Sequence, residues 1–407
     1  MNWVEYNLNE LGSFKNGLNF KKEKMGSGYP LINVKDITSN IRLNSKLLDL
    51  VDVSIKGKSA SYLAERGDIF FVRSSVKREG VGMVGMLDDD EKTVHCGFVI
   101  RFRPNQKIIH PKFLLYLLSS PYWRESVRNL SGGTAIINIS QGALKTLNVR
   151  FPESLQTQKY IADISSAYDD LIEKNLKRIK LLEQAAQNIY KEWFVNMRFP
   201  GYENTVINAA TGIPEDWEVG VISDFGKVVT GKTPSTKRSD FYGGNIPFIK
   251  TPDMHGLPYV VETGNNLTEL GEKTQLNKNL PANSVLVSCI GTAGVVAMTS
   301  KISQTNQQIN SVVFDSTFKS YYFYCFAKKL KPLLEGLGSN GTTMVNVNKR
   351  KFENIDLNIP AESLLVNYSK IVEPMFKQIL TLSIQNQKLE IARDILLPRL
   401  MNRTIEV

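Results

Sequence analysis

Residues 3–17, Trp3-Val4-Glu5-Tyr6-Asn7-Leu8-Asn9-Glu10-Leu11-Gly12-Ser13-Phe14-Lys15-Asn16-Gly17, are echoed at residues 217–231. The later stretch reads Trp217-Glu218-Val219-Gly220-Val221-Ile222-Ser223-Asp224-Phe225-Gly226-Lys227-Val228-Val229-Thr230-Gly231. Trp3 with Trp217, Leu11-Gly12 with Phe225-Gly226, and Gly17 with Gly231 share a displacement of 214. The echo continues in order. Tyr29-Pro30-Leu31-Ile32 with Asp36 matches Ile246-Pro247-Phe248-Ile249 with Asp253 at 217, and Arg66-Gly67-Asp68-Ile69 aligns loosely with Ala282-Asn283-Ser284-Val285 at 216. Gly133-Thr134, Asn138 and Pro152 match Gly341-Thr342, Asn346 and Pro360 at 208. An ordered series at a nearly constant offset constrains architecture more than any short motif. It predicts two homologous halves, each a globular module followed by a long helix, with modules over 1–152 and 200–360 and helices over 153–199 and 361–407.

The modules read as mixed α+β. Short apolar runs punctuated by Gly, Pro and Asn predict strands: Ile69-Phe70-Phe71-Val72, Val81 to Leu87, Phe98 to Phe102, Val285-Leu286-Val287 and Val312-Val313-Phe314. A more helical stretch, Pro111 to Arg128 and its counterpart Ser316 to Leu337, leads into the Gly-Thr loops.

The long helices have their own signature. From Ser154, a good N-cap, to Met197 there is no Pro or Gly. Apolar residues recur at Ile161, Ile164, Tyr168 and Leu171, then at Ile179, Leu182, Ala186, Ile189 and Trp193, with Asn175 between. The spacing alternates three and four apart from one extra four-residue step around Asn175, which is a coiled-coil seam with a stutter. The run from Glu362 to Asn402 gives Met375, Ile379, Leu382, Asn386, Leu389, Arg393, Leu396 and Leu400. Pro374 inside it predicts that the first turns are kinked or separate. A helix of roughly 40 residues is about 60 Å long, longer than such a module is wide, so each seam needs cover. Each helix is the other's natural cover. The chain path requires them to pair antiparallel, with the modules at opposite ends of a rod and related by a pseudo-twofold axis.

Of the 407 residues 42% are apolar, enough for real cores. The 50 Lys and Arg against 40 Asp and Glu leave a net charge of +10, and residues 1–150 alone carry 22 against 14. That excess favours a polyanionic partner. Cys96, Cys289 and Cys325 lie far apart with no CxxC, so neither a disulfide framework nor a zinc ribbon is encoded, and a reducing, cytoplasmic home is expected. Asn2, Glu5 and Asn7 interrupt the first residues, and no stretch of about 18 uncharged apolar residues occurs. Membrane and secreted readings fall away.

No catalytic or metal-ligating constellation is present in the sequence: His95, His110 and His255 are scattered singly, with no GxxxxGK[ST], no GxGxxG after a strand and no HExxH. The nearest approach to a nuclease core is Asp68 with Asp90-Glu91-Lys92, an acid before an Asp-x-Lys able to ligate Mg²⁺. A stand-alone nuclease of this kind predicts Mg²⁺-dependent cutting by the purified chain. Asp88-Asp89-Asp90-Glu91 is more simply an acidic turn, and Ser284 stands where the second half would need Asp68.

The polar loops instead look like DNA-reading heads. Module one offers Lys15, Asn16, Lys21, Lys22, Lys24 and Lys35, then Arg73, Ser74, Ser75, Lys77 and Arg78, and Thr134 in its Gly-Thr loop. Basic residues interleaved with Gly, Ser and Asn suit a loop that approaches phosphates and still reaches base edges. In module two, Thr230, Lys232, Thr233, Ser235, Lys237 and Arg238 occupy the place of the first basic cluster, with Lys250 beyond it. Ser288, Gly291 and Thr292 fall opposite Arg73-Ser74-Ser75, and Thr342 lies in the second Gly-Thr loop. Gln307, Gln308 and Asn310 carry amides able to pair with adenine edges, and Arg73 or Arg238 suits guanine. A scaffold whose coiled coil binds only proteins is the third class, and it predicts no DNA affinity at low salt.

The ordered set resembles a known family, the DNA specificity subunits of type I restriction–modification systems. Its carriers are Trp3 and Trp217, the two Pro-containing strands with Asp36 and Asp253, and the Pro-ended strands before both helices. To these are added Gly133-Thr134-Ala135-Ile136-Ile137-Asn138 and Gly341-Thr342-Thr343-Met344-Val345-Asn346. The resemblance spans essentially the whole chain. It implies two target recognition domains that each read half of a split sequence in double-stranded DNA, separated by helices acting as a ruler. It further implies no cofactor and no catalysis on this chain. Two methyltransferase subunits would bind S-adenosylmethionine and methylate adenine, and restriction subunits using ATP and Mg²⁺ would translocate and cleave.

Overall fold

The computed structural model describes residues 2–55, 57–75, 80–129, 137–338 and 345–401. It divides into two units, Met1–Asp170 with Glu390–Val407, and Leu171–Leu389, so the division falls inside both long helices, Leu155–Tyr190 and Glu362–Met401.

In the first unit a five-stranded sheet has the order Gly12–Asn16, Val99–Pro104, Ile69–Val72, Val84–Leu87, Arg42–Leu43, antiparallel except for the last pair. The second unit repeats it with Lys227–Thr230, Ile309–Val313, Val285–Ser288, Val296–Thr299 and Tyr259–Val260, again parallel only at the last pair. A three-stranded sheet accompanies each, centred on Met25–Ile32 in one and Tyr242–Ile249 in the other. A terminal ribbon joins Trp3–Asn7 to Asn148–Pro152, and Glu218–Val221 to Asp356–Ile359.

The repeated residues are those the shared backbone needs. Asp36 accepts the Asn33 amide at 2.8 Å and Asp253 accepts the Lys250 amide at 2.8 Å, each closing the turn after the central strand. Gly67 and Asn283 both adopt positive φ before the middle strand of their sheets, so the loose alignment there marks one turn. A side chain at Gly17 would place its Cβ 1.9 Å from the Cys96 carbonyl oxygen, and one at Gly231 would lie 2.1 Å from that of Asn306. Only glycine permits that approach.

Sheet faces and helices enclose the cores. Phe102, Phe113, Leu114 and Phe151 belong to the first unit's core, which Ile161, Ala162 and Leu400 of the long helices join. The second unit buries Trp193, Phe194, Trp217 and Tyr322 together with Ile179, Ala186, Tyr368, Phe376 and Ile379. Each predicted late helical stretch is two helices: Pro111–Ser119 and Pro121–Asn129, then Thr317–Ala327 and Lys331–Gly338. The strand expected from Val81 begins at Val84.

Ser154 caps the first long helix, its hydroxyl accepting the Thr157 amide at 3.3 Å. Within the second unit Asn175 meets Asn386 and Ala186 meets Tyr368, so the helices pair antiparallel as expected. Ile179, Leu182, Leu382 and Leu400 are buried or half-buried, as are Ile164, Tyr168, Ile189, Leu389 and Leu396. Leu171 corrects the predicted seam. It is 45% exposed, and its neighbour Ile172 is buried instead. The seam passes through Asp169 because that carboxylate is satisfied there, accepting from Arg393 at 2.7 Å and from the Tyr116 hydroxyl at 2.5 Å. The stutter therefore lies elsewhere than the apolar spacing suggested. Pro374 neither breaks nor separates the second helix, which is continuous from Glu362. Its ring and Lys370, whose carbonyl loses its partner, are both exposed.

The Nδ2 of Asn175 donates to Oδ1 of Asn386 at 2.9 Å in a buried contact. Replacing Asn386 by leucine strands the Asn175 amide and is expected to cost about 1–3 kcal/mol, while leucine at both positions restores most of it. Urea unfolding of the two variants checks this; equal stability of single and double variants contradicts it. Among the described residues no helix is long and apolar enough to cross a membrane.

Candidate nucleic-acid interface

In the first unit, backbone hydrogen bonds gather the polar loops at one end of the five-stranded sheet. Asn16 ends the edge strand opposite Ile100, and the Gly17 amide donates to the Val99 carbonyl at 3.2 Å. Next to it, the Val99 amide closes a four-residue turn onto the Cys96 carbonyl at 3.0 Å, placing Gly97 and Phe98 at its tip. The Arg73 amide donates to the Phe98 carbonyl at 2.8 Å, and Ser74–Ser75 then pairs with Ile137–Asn138. Gln141 completes the cluster, its Nε2 donating to Asn16 Oδ1 at 2.9 Å. Ser74 bonds Asn138 through its hydroxyl.

The basic residues divide. Lys21 and Lys22 are exposed, and neither they nor Arg73 forms an ion pair among the described residues. Lys24 pairs with Asp52 at 3.3 Å and Lys35 with Asp49 at 2.5 Å, both at the surface. The Lys15 ammonium sits 4.4 Å from the centre of the Tyr62 ring. Lys77, Arg78 and Thr134, with Thr342 of the other unit, lie outside the described residues.

The second unit builds the same sheet end. Gly231 donates to Ile309 at 3.2 Å, the turn Asn306–Ile309 closes at 3.3 Å, and the Cys289 amide donates to the Gln308 carbonyl at 2.8 Å. Ile290–Gly291 pairs with Val345–Asn346. At the tip stand Gln307 and Gln308 instead of Gly97 and Phe98. Thr233 donates to Gln307 Oε1 at 2.7 Å and Asn306 to Gln308 Oε1 at 3.0 Å. Thr230 donates to Asn310 Oδ1 at 2.6 Å. Lys232, Ser235, Lys237 and Thr292 are exposed around this end.

The expectations for four residues shift. Ser288 is fully buried: its hydroxyl donates to the Thr292 carbonyl at 2.6 Å and accepts the Val295 amide at 2.9 Å, so it closes a loop. The strand register sets Cys289, not Ser288, in the place of Arg73. Arg238 is bidentate to Asp240, at 2.8 and 2.5 Å, and Lys250 bonds Asn265. Asn310, also named for adenine, is buried within the sheet.

Phe98 was not among the sequence candidates, yet it is 64% exposed at the centre of the first cluster. The signal that finds it is the offset of 210 that sets Gly97-Phe98 against Gln307-Gln308.

The nuclease constellation dissolves. Asp68, 1% exposed, is held by Arg103 through two bonds of 2.8 Å with Arg101 at 3.7 Å, which neutralise it where a cation would need it free. Asp88 is occupied by Arg42 and Arg66, and Asp90 lies 3.7 Å from Arg66.

The model of the type I restriction modification DNA specificity domain matches residues 1–184 and again residues 214–391, once on each half of the repeat. The chain belongs to this family. The specificity subunit of the type I restriction enzyme HindI of Haemophilus influenzae is 31% identical, with 99% of each chain covered. That of MjaIX from Methanocaldococcus jannaschii is 26% identical, over 93% of this chain and 87% of the relative. Among solved structures, the type I restriction–modification S subunit from M. genitalium shares the fold with a TM-score of 0.58 at 16% identity, over 98% of this chain and 96% of that one.

Proposed function

We propose that this chain selects the DNA target of a type I restriction–modification complex, each unit reading one block of a bipartite sequence in double-stranded DNA. One observation carries the reading: two sheet ends built by the same main-chain hydrogen bonds present different side chains, as two readers of different words would. Residues 1–152 and 200–360 are the recognition domains in this reading, and 153–199 with 361–407 the spacer helices whose length fixes the gap between blocks. Lys15, Lys21, Lys22, Lys232 and Lys237 supply phosphate contacts that fix register without sequence information. Arg73, Ser74, Ser75, Gln307 and Gln308, together with Thr134 and Thr342, are assigned to base edges.

The chemistry belongs to partners. Two methyltransferase subunits carrying S-adenosylmethionine methylate an adenine, which they must first draw out of the stack, and restriction subunits use ATP and Mg²⁺. Genome-wide adenine methylation in the source strain, with and without this gene, tests the proposal. Loss of one bipartite methylated motif on deletion is expected. An unchanged map in a strain whose methyltransferase partner is active overturns it in favour of a protein-only scaffold.

A further inference from the structure

Resting on that reading, we propose that Phe98 is a specificity-determining residue of the first unit, making apolar contact with a base of its block, so that the two blocks are read by different chemistries. The placement argues for it. Phe98 occupies the tip of the Cys96–Val99 turn, and the Asn306–Ile309 turn holds Gln308 at the matching position through the same pair of main-chain bonds. The equivalence is therefore one of backbone, with only the side chain changed. Around Phe98 stand Asn16, Arg73 and Ser74, groups suited to phosphates and base edges. An aromatic ring left 64% exposed there makes no contribution to the unit's core. In the major groove the apolar group available to such a ring is the thymine C5-methyl, whereas a glutamine amide addresses hydrogen-bonding edges.

The test uses the chain assembled with its methyltransferase subunits and duplexes carrying the target found by methylation mapping. Each thymine of each block is replaced in turn by deoxyuridine, which removes only the methyl group. For the parent complex, one replacement in one block should weaken binding on the order of tenfold. Phe98→Ala should bind the unaltered duplex that much more weakly and become indifferent to the same replacement, with the other block unaffected. Phe98→Leu, which keeps an apolar tip, should retain part of the sensitivity. Because the ring is exposed, both variants should assemble and melt like the parent. A parent complex that distinguishes its target but shows no deoxyuridine effect in either block overturns the inference and leaves the function intact. Undiminished sensitivity in Phe98→Ala does the same. A parent complex with no preference for the mapped target overturns the function itself, and this inference with it.

Discussion

Replacing Asp68 with alanine should destabilise the first unit by about 3–5 kcal/mol, the cost of removing one partner from a buried ion pair. The Asp68 carboxylate accepts from Arg103 Nε and Nη2 at 2.8 Å each and from the Glu65 amide at 2.8 Å. Arg101 beside it has a side chain only 7% exposed and donates to the Leu63 carbonyl at 2.6 Å. Burial pushes the Arg101 pKa down and Asp68 opposes that shift, so the alanine variant leaves a buried cation uncompensated. Strand pairing supplies a second arm. Ile69 faces Phe102 as Val285 faces Val312, so Ser284, Ser311 and Val313 are the second unit's counterparts of Asp68, Arg101 and Arg103. The charges are present or absent as a set. Carrying the whole uncharged set into the first unit, as Asp68→Ser with Arg101→Ser and Arg103→Val, should recover most of the loss that Asp68→Ala incurs. Urea unfolding of the three proteins decides it, and a triple variant as weak as Asp68→Ala refutes the account.

Acid should weaken the first unit through His95. The ring is fully buried, lies edge-on to Phe70 with centroids 5.5 Å apart, and has its Nε2 3.3 Å from the Lys15 carbonyl oxygen. Burial, aided by the nearby Arg101 and Lys15 charges and opposed by the backbone hydrogen bond, pushes its pKa down to about 4. An unfolded histidine titrates near 6.5, so between these values the unfolded chain binds the extra proton. The stabilisation is complete above pH 6.5 and is lost as pH falls toward 4. Between pH 7 and 4.5 the loss should be on the order of 2–3 kcal/mol. Thr305 holds the corresponding strand position of the second unit, since His95 faces Ile32 as Thr305 faces Ile249. His95→Thr should therefore flatten the stability of the first unit across that window. A parent and variant that lose stability in parallel would show that other groups carry the acid sensitivity.

Much of this architecture was legible because the repeat preserved residues the backbone cannot do without: Gly17 and Gly231 where a Cβ would strike a carbonyl, Asp36 and Asp253 where a turn needs closing. What stayed hidden depended on contacts distant in sequence. Leu171 and Ile172 are adjacent apolar residues on one helix, and the buried one is Ile172, whose carbonyl accepts from the distant Asn386 at 3.4 Å. Phe98 read as the start of a buried strand because it precedes Val99 and Ile100, while the turn that lifts it out is fixed by the Cys96 carbonyl. Ser288 looked like a surface hydroxyl until the strand register placed it inside. Lys24, Lys35 and Arg238 appeared free in a charge count, yet their carboxylate partners come from segments that folding brings beside them or from two residues away.

The turns that carry Phe98 and Gln308 take their shape from main-chain bonds, and this separates two kinds of selection. Substitution of the exposed Phe98 keeps every main-chain bond that shapes its turn, so lineages can drift there without passing through an unstable ancestor. On the proposed reading, a chain with two such tips can alter one recognised word while the other is held constant. Its vocabulary then grows as the product of two independent alphabets.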